Sequence, residues 1–208
     1  MDNPLELLKK NYPNSKHYIE FSNPLELMVA TILSSQVRDT VVNDCTKELF
    51  KKYRTAKDYA EADVKELETI IKPITFYQNK VKNIKASCKI LEEKYNGKVP
   101  SMMDELIELP GIGRKSANAI LQNGFNIIEG VTVDTHVIRV SYRLGWTSNK
   151  QPEKIEQDLM KLFPKSEWKT IPFYLKSHGR AFCKAPIPIC SQCFLSKICP
   201  KNGVIKKA

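Results

Sequence analysis

Apolar residues recur at helical spacing along nearly the whole chain, and no stretch alternates convincingly enough to read as a strand. Ser22-Asn23-Pro24 predicts a helix start, with a capping side chain and proline in the first turn. Leu25, Met28, Val29, Ile32 and Leu33 continue it to about Gln36. Val42, Cys45, Leu49 and Tyr53 predict a second helix after Asp39. Val64, Leu67 and Ile71 predict another, stopped at Pro73. Tyr77, Val81, Ile84, Cys88 and Leu91 form a long stripe that ends before Gly97.

Ser101 with Asp104 resembles a capping box, opening a short helix that ends at Pro110. The helix after Gly113 runs to about Gly124. Asp134 is a predicted N-cap for a helix through Leu144, stopped by Gly145. Pro152 opens a further helix with Ile155, Leu159 and Leu162 on one face. Trp168, Ile171, Leu175, His178 and Phe182 share a last stripe, with a disturbance expected at Pro172. The pattern predicts an all-α fold with short connections and shows no internal repeat.

At 208 residues the chain can bury one sizeable core or two small ones. No apolar run reaches the roughly 18 residues of a membrane span. Met1-Asp2-Asn3-Pro4 shows neither a basic segment nor an apolar signal core, so a soluble intracellular protein of the cytoplasm or nucleoid is expected. The net charge of +10 favours a polyanionic partner. No segment resembles a basic amphipathic membrane helix, which leaves nucleic acid ahead of a membrane surface.

Four of the six cysteines follow one another as Cys183-x6-Cys190-x2-Cys193-x5-Cys199. In a reducing compartment such a group suits a metal centre rather than disulfides. Zinc sites with four cysteines usually show two Cys-x2-Cys pairs, and only Cys190 and Cys193 form one here. The spacing therefore favours an iron–sulfur cubane over zinc, with both open. Cys45 and Cys88 lie on apolar stripes and are expected to pack as small hydrophobes.

Leu109-Pro110-Gly111-Ile112-Gly113-Arg114-Lys115 joins two helical patterns. A Gly-x-Gly turn lets backbone amides approach a phosphate without reading base sequence, and it equally suits a tight turn between antiparallel helices. Lys115 falls in the first turn of the second helix. The positive end of the helix dipole, like partial burial, works against a second positive charge there. A neutral lysine is a nucleophile that forms Schiff bases. From position alone, a phosphate-binding cation, as for Arg114, is the stronger reading. Asp134, in Val133-Asp134-Thr135-His136, reads as a cap and also as a carboxylate that receives a proton or stabilises a cationic sugar. His136 is balanced between phosphate contact and packing.

Together these residues resemble the endonuclease III family, helix-hairpin-helix DNA glycosylase/AP lyases with a [4Fe-4S] cluster. The stretch from Leu109 through Asn118 is similar to the family's hairpin and catalytic lysine, and Val133-Asp134-Thr135-His136 to the segment with its catalytic aspartate. Cys183, Cys190, Cys193 and Cys199 match the cluster spacing. Leu33-Ser34-Ser35-Gln36 is similar to the segment whose glutamine probes the gap left by a flipped base. The resemblance runs nearly end to end.

It implies two helical domains with a DNA-binding cleft between them. Residues 17–127 would form a six-helix barrel carrying the hairpin; residues 1–16 and 128–208 would form the cluster domain. It also implies a double-stranded DNA partner holding damaged bases or abasic sites, and a monomer. Lys115 would attack the sugar C1′ of a flipped, oxidised pyrimidine nucleotide, and β-elimination would cut the strand. Gln36, Phe76, Gly111, Ile112, Gly113, Arg114, His136 and Lys184 are the implied DNA contacts.

Two segments depart from the family pattern. Ile74-Thr75-Phe76-Tyr77 stands where a Gly-Leu-Tyr is common, which makes Phe76 the wedge between bases. Lys184-Ala185-Pro186-Ile187-Pro188-Ile189 is less basic than the usual loop between the first two ligands. Adenine-mismatch glycosylases typically lack the lysine and carry a further domain after the cluster, whereas nine residues follow Cys199 here. A thymine- or uracil-mismatch glycosylase of the same superfamily is the nearer alternative. A non-catalytic DNA-binding or redox-sensing iron–sulfur protein is the alternative of a different class.

Overall fold

The structure is a computed structural model whose described residues are 3–15 and 18–208. Met1-Asp2 and the expected boundary between residues 16 and 17 lie outside them. Helices order the chain as α1 (Pro4–Asn11), α2 (Pro24–Leu33), α3 (Asp39–Lys52), α4 (Ala56–Glu61), α5 (Val64–Ile70) and α6 (Tyr77–Tyr95). They continue as α7 (Met103–Ile107), α8 (Arg114–Ile120), α9 (Thr135–Arg143), α10 (Pro152–Leu162) and α11 (Ile171–Ala181). A π-helical turn, Leu121–Phe125, extends α8, and a 3-10 turn spans Lys165–Glu167. No strand occurs among the described residues. The chain divides into two compact units, His17–Ile127, and Met1–Lys16 with Ile128–Ala208.

The first unit holds α2 to α8. Its α4, which the apolar pattern did not predict, is opened by a complete capping box between Thr55 and Asp58. Its core includes Leu27, Met28, Leu33, Val42, Leu49, Tyr59, Leu67, Ile84, Leu91 and Leu106. Cys45 and Cys88 lie in this core, as small hydrophobes do. Burying each large apolar side chain contributes roughly 1.5–3 kcal/mol. Two lysines of α6 reach out to the ends of other helices. Lys80 Nζ donates to the carbonyls of Leu33, the last residue of α2, and Ser35 just past it, and Lys85 Nζ to those of Ala60 in the last turn of α4 and Ala62 just past it. Each ammonium meets the negative end of a helix dipole and otherwise unpaired carbonyls.

The second unit packs α1, α9, α10 and α11 around Leu5, Leu8, Val137, Val140, Ile155, Leu159, Ile171 and Leu175. Here α1 repeats the Asn-Pro start of α2: Asn3 accepts from the Leu5 amide and Pro4 opens the helix.

Several expected boundaries move. The α2 helix stops at Leu33 rather than Gln36, because Ser34 closes the last turn and Gln36 takes φ +57°. Ser101 does not cap α7, which starts after Met102 with no side-chain cap. Leu162 is 50% exposed at the end of α10 instead of sharing the face of Ile155 and Leu159. Pro172 disturbs nothing, since it occupies the first turn of α11, where a missing N–H is harmless. Trp168 precedes that helix.

Candidate functional site

The turn between α7 and α8 is built on backbone and on α6. Leu109 N–H bonds to Leu106, and Ile112 N–H bonds to Leu109 at 3.0 Å. Gly111 takes φ +85°, and a Cβ there would lie 2.8 Å from Asn83 Nδ2 of α6. Ser87 Oγ, also on α6, donates to the Pro110 carbonyl at 2.9 Å. Ile112 is 5% exposed and belongs to the core. Its side chain anchors the turn from below, and its amide is already used within it.

Gly113 differs in kind. It is the exposed N-cap of α8 at φ −97° and ψ 177°, and a Cβ there would meet nothing within 4 Å. The fold explains Gly111 but gives no steric reason for Gly113. Open space therefore lies over the backbone where the helical run through Phe125 begins. The leading amides of a helix have no intrahelical acceptor. Arg114 and Lys115 follow, both exposed.

Four exposed non-glycine residues of this unit stand in left-handed backbone: Asn96 and Asn126, a type that tolerates it, and Gln36 and Phe76. Gln36 has φ +57° in the turn after α2, and Phe76 has φ +57° as the N-cap of α6. Phe76 is 62% exposed. A non-glycine residue gives up about 1–2 kcal/mol in this conformation, so the surrounding structure has to hold it. Lys80 links the two places. It lies one turn into α6, its amide bonding to the Phe76 carbonyl at 3.2 Å. Its Nζ reaches the Leu33 and Ser35 carbonyls at 2.8 and 2.7 Å. Burial pushes its pKa down to about 8. The sequence carried a signal for it: position 80 falls on the stripe defined by Tyr77 and Ile84.

In the other unit, Asp134 caps α9. Its Oδ1 accepts from the His136 and Val137 amides, both at 2.8 Å. Both bonds use Oδ1, which leaves Oδ2 uninvolved in the cap. His136 is half-buried, with Nδ1 3.0 Å from Arg139 Nη2. The arginine can only donate, so Nδ1 accepts and Nε2 carries the proton. Burial keeps His136 below its ordinary pKa, with Asp134 opposing and Arg139 assisting. It is packed against Gly179 of α11, whose missing Cβ would lie 2.7 Å from Nδ1. Packing accounts for Nδ1 and leaves Nε2–H as a donor.

Cys183, Cys190, Cys193 and Cys199 line one cavity, with Val140, Arg143, Leu144 and His178 in its wall. Among the described residues, no three His, Cys, Asp or Glu side chains are gathered as ligands of a single metal ion. The Leu195 amide donates to Cys193 Sγ and the Lys201 amide to Cys199 Sγ, while burial pushes both thiols up. Arg143 holds the loop after α11. Its Nη1 lies 3.4 Å from Cys183 Sγ and 2.8 Å from the Lys184 carbonyl, and its Nη2 is 3.3 Å from the Pro186 carbonyl. Sequence reasoning missed Arg143; it is buried in the last turn of α9, three residues after Val140. Lys184 itself is exposed.

Residues 29–165 match the family described as HhH-GPD superfamily base excision DNA repair protein. Endonuclease III of Synechocystis sp. is 45% identical over 196 residues, 94% of this chain and 90% of that protein. Endonuclease III of Bacillus subtilis is 40% identical over 210 residues, 98% and 95% respectively. Among solved structures, a trapped endonuclease III–DNA covalent intermediate (an estranged-adenine complex) matches with a TM-score of 0.90 and 42% identity, over 95% of this chain and 92% of that one. A thermostable thymine-DNA glycosylase has the same fold, with a TM-score of 0.83 and 20% identity over 94% of this chain and 93% of that one.

Proposed function

Since the chain belongs to the HhH-GPD superfamily and within it to the endonuclease III family, we propose that its exposed Lys115 is the nucleophile of a base-excision repair DNA glycosylase/AP lyase. The enzyme class follows from that membership; the residue roles and the lesion are the proposal. One observation carries it. Gly113, bare for no steric reason within the fold, opens the backbone two residues before an exposed lysine. A phosphate seated there would bring the neighbouring sugar within the lysine's reach.

The reaction starts from a neutral Lys115 amine and a nucleotide turned out of the duplex. Nζ attacks C1′, and the glycosidic electron pair leaves with the base. Loss of the proton from Nζ and opening of the sugar ring give the Schiff base. Removal of a C2′ proton then expels the 3′ phosphate, and water releases the enzyme. Asp134 Oδ2 is the proposed acceptor for the lysine proton and the counter-charge for the developing cationic sugar. Arg114 and the Gly111–Gly113 backbone hold phosphate, Gln36 and Phe76 occupy the place of the displaced nucleotide, and His136 Nε2–H and Lys184 are further donors. The proposed substrate is double-stranded DNA with an oxidised pyrimidine or an abasic site, met by a monomer inside the cell. No described helix is long and apolar enough to cross a membrane. A panel of defined lesion duplexes tests this class. Preference for mispaired thymine or uracil over oxidised pyrimidines would replace it with the mismatch-glycosylase reading.

The two glycines separate fold from binding. Gly111→Ala places a side chain in left-handed backbone against Asn83 and should lower stability by about 1–3 kcal/mol in thermal unfolding. Gly113→Ala meets no atom, so its stability change should stay within about 1 kcal/mol. Duplex binding, measured by anisotropy, should nevertheless weaken at least about fivefold, roughly 1 kcal/mol. Unchanged binding by a folded Gly113→Ala protein would remove the phosphate seat.

Cys183, Cys190, Cys193 and Cys199 are proposed to hold a [4Fe-4S] cluster. The fit rests on the donor set, four thiols facing one cavity, and on the amides and Arg143 directed at the sulfurs. The cluster would shape the loop of residues 184–189 and is assigned no redox step in turnover. Anaerobically purified protein should contain about four each of iron and sulfide, with broad visible absorbance. Cys193→Ala should lose that absorbance; stoichiometric zinc in the unaltered protein would overturn the assignment.

A further inference from the structure

Both side chains proposed to enter the duplex, Gln36 and Phe76, stand exposed in left-handed backbone on separate connections, one after α2 and one before α6. Phe76 makes no side-chain cap for α6, and at the end of α2 the Ser34 hydroxyl donates to the Thr31 carbonyl at 2.8 Å, which leaves the Leu33 and Ser35 carbonyls to Lys80. One buried side chain reaches from the first connection to the second. Lys80 follows Phe76 by one helical turn and bonds back to its carbonyl, while its Nζ grips the Leu33 and Ser35 carbonyls beside Gln36. We propose that Lys80 is a positioning residue for lesion readout, locking the Gln36 turn to the Phe76 turn so that both side chains enter the duplex as one rigid probe.

Three features support this over a helix cap alone. Lys80 is 6% exposed and is held by carbonyls, with no carboxylate bridged to it among the described residues. A buried ammonium in such a place is pushed toward its neutral form, down to about 8, a cost that an apolar side chain on the same stripe would avoid. The second carbonyl, that of Ser35, lies beyond the end of α2 and directly before Gln36, so the grip extends past what capping α2 requires. The neighbouring Lys85 likewise holds two carbonyls, yet those end α4, whose segment carries no proposed DNA contact.

This inference rests on the proposed roles of Gln36 and Phe76, and its test separates the two ideas. Excision of a damaged base needs the gap in the duplex to be filled, whereas cleavage of a preformed abasic site has no base to extract. The experiment measures both rates for the wild type, Lys80→Met and Lys80→Arg, each normalised to the fraction of protein trapped on abasic DNA by borohydride. Lys80→Met should lower the ratio of excision to abasic cleavage by about 10- to 100-fold, the size expected when positioning is lost. Lys80→Arg, which keeps a charged donor, should recover it to within about threefold, under 1 kcal/mol. An unchanged ratio in Lys80→Met, or an equal loss of both activities, overturns the inference and leaves Lys80 a structural cap. If Lys80→Met does not fold, Lys80→Gln takes its place, with the same outcomes. A wild type that cleaves abasic DNA but whose Gln36→Ala and Phe76→Ala variants excise normally would defeat the underlying reading instead.

Discussion

The Lys115→Ala protein is expected to form no borohydride-trapped adduct with an abasic duplex, and its turnover should fall by at least about a thousandfold, some 4 kcal/mol. The loss would not be a folding defect. Lys115 is exposed in the first turn of α8, and alanine is the best helix former. Unfolding temperature and visible absorbance should match the wild type. Lys115→Arg gives the sharper comparison. Arginine keeps the positive charge for phosphate but never offers a neutral amine. A phosphate-binding role predicts that Lys115→Arg works nearly as well as the wild type. A nucleophile predicts that it binds abasic DNA and is not trapped. Trapping of Lys115→Arg at the wild-type level would end the Schiff-base assignment.

Asp134 carries the second large effect, and its two roles separate by substitution. Asn is about as good an N-cap as Asp, so Asp134→Asn should keep the bonds to the His136 and Val137 amides and lose only the charge. Turnover should fall about 10²- to 10⁴-fold, the usual range for losing a positioned acid or base, with little change in unfolding temperature. Asp134→Ala should lose activity similarly and also about 0.5–2 kcal/mol of stability, because two amides of α9 lose their acceptor. If Asp134→Asn turns over at the wild-type rate, the carboxylate is a cap and nothing more.

Where the chain announced its elements, local chemistry was the reason. Asn23-Pro24 caps α2 as expected, and Asp134 caps α9. The same signals were present for α1, at Asn3-Pro4, and for α4, at Thr55 and Asp58, but short helices of six to eight residues leave little periodicity to notice. Ser101 shows the converse error. A capping residue close to a helix start is only a cap when the backbone brings its oxygen to the amide, and at α7 it does not. Leu162 belonged to an apolar face by spacing, yet it ends its helix where the core has ended.

The candidate site divides in the same way. Lys115, Asp134, the four cysteines and the Gly-x-Gly turn were legible because each is a residue type at a spacing, and the chemistry of thiols, an amine and a carboxylate goes with the type. The partners that hold them were not. Lys80 and the Leu33 carbonyl are 47 positions apart, and Arg143 and Cys183 are 40 apart. The sequence by itself determined the longer helices, the caps at Asn23 and Asp134, and the inventory of reactive groups, since helix propensity and capping act within a few residues. Only the tertiary structure decided that Lys80 and Arg143 lie inside, that the Ile112 side chain is buried in the core, and that Gly111 answers to Asn83 while Gly113 answers to nothing in the fold. Burial, close approach and hydrogen-bond pairing depend on which distant segments meet, and no local pattern encodes that meeting.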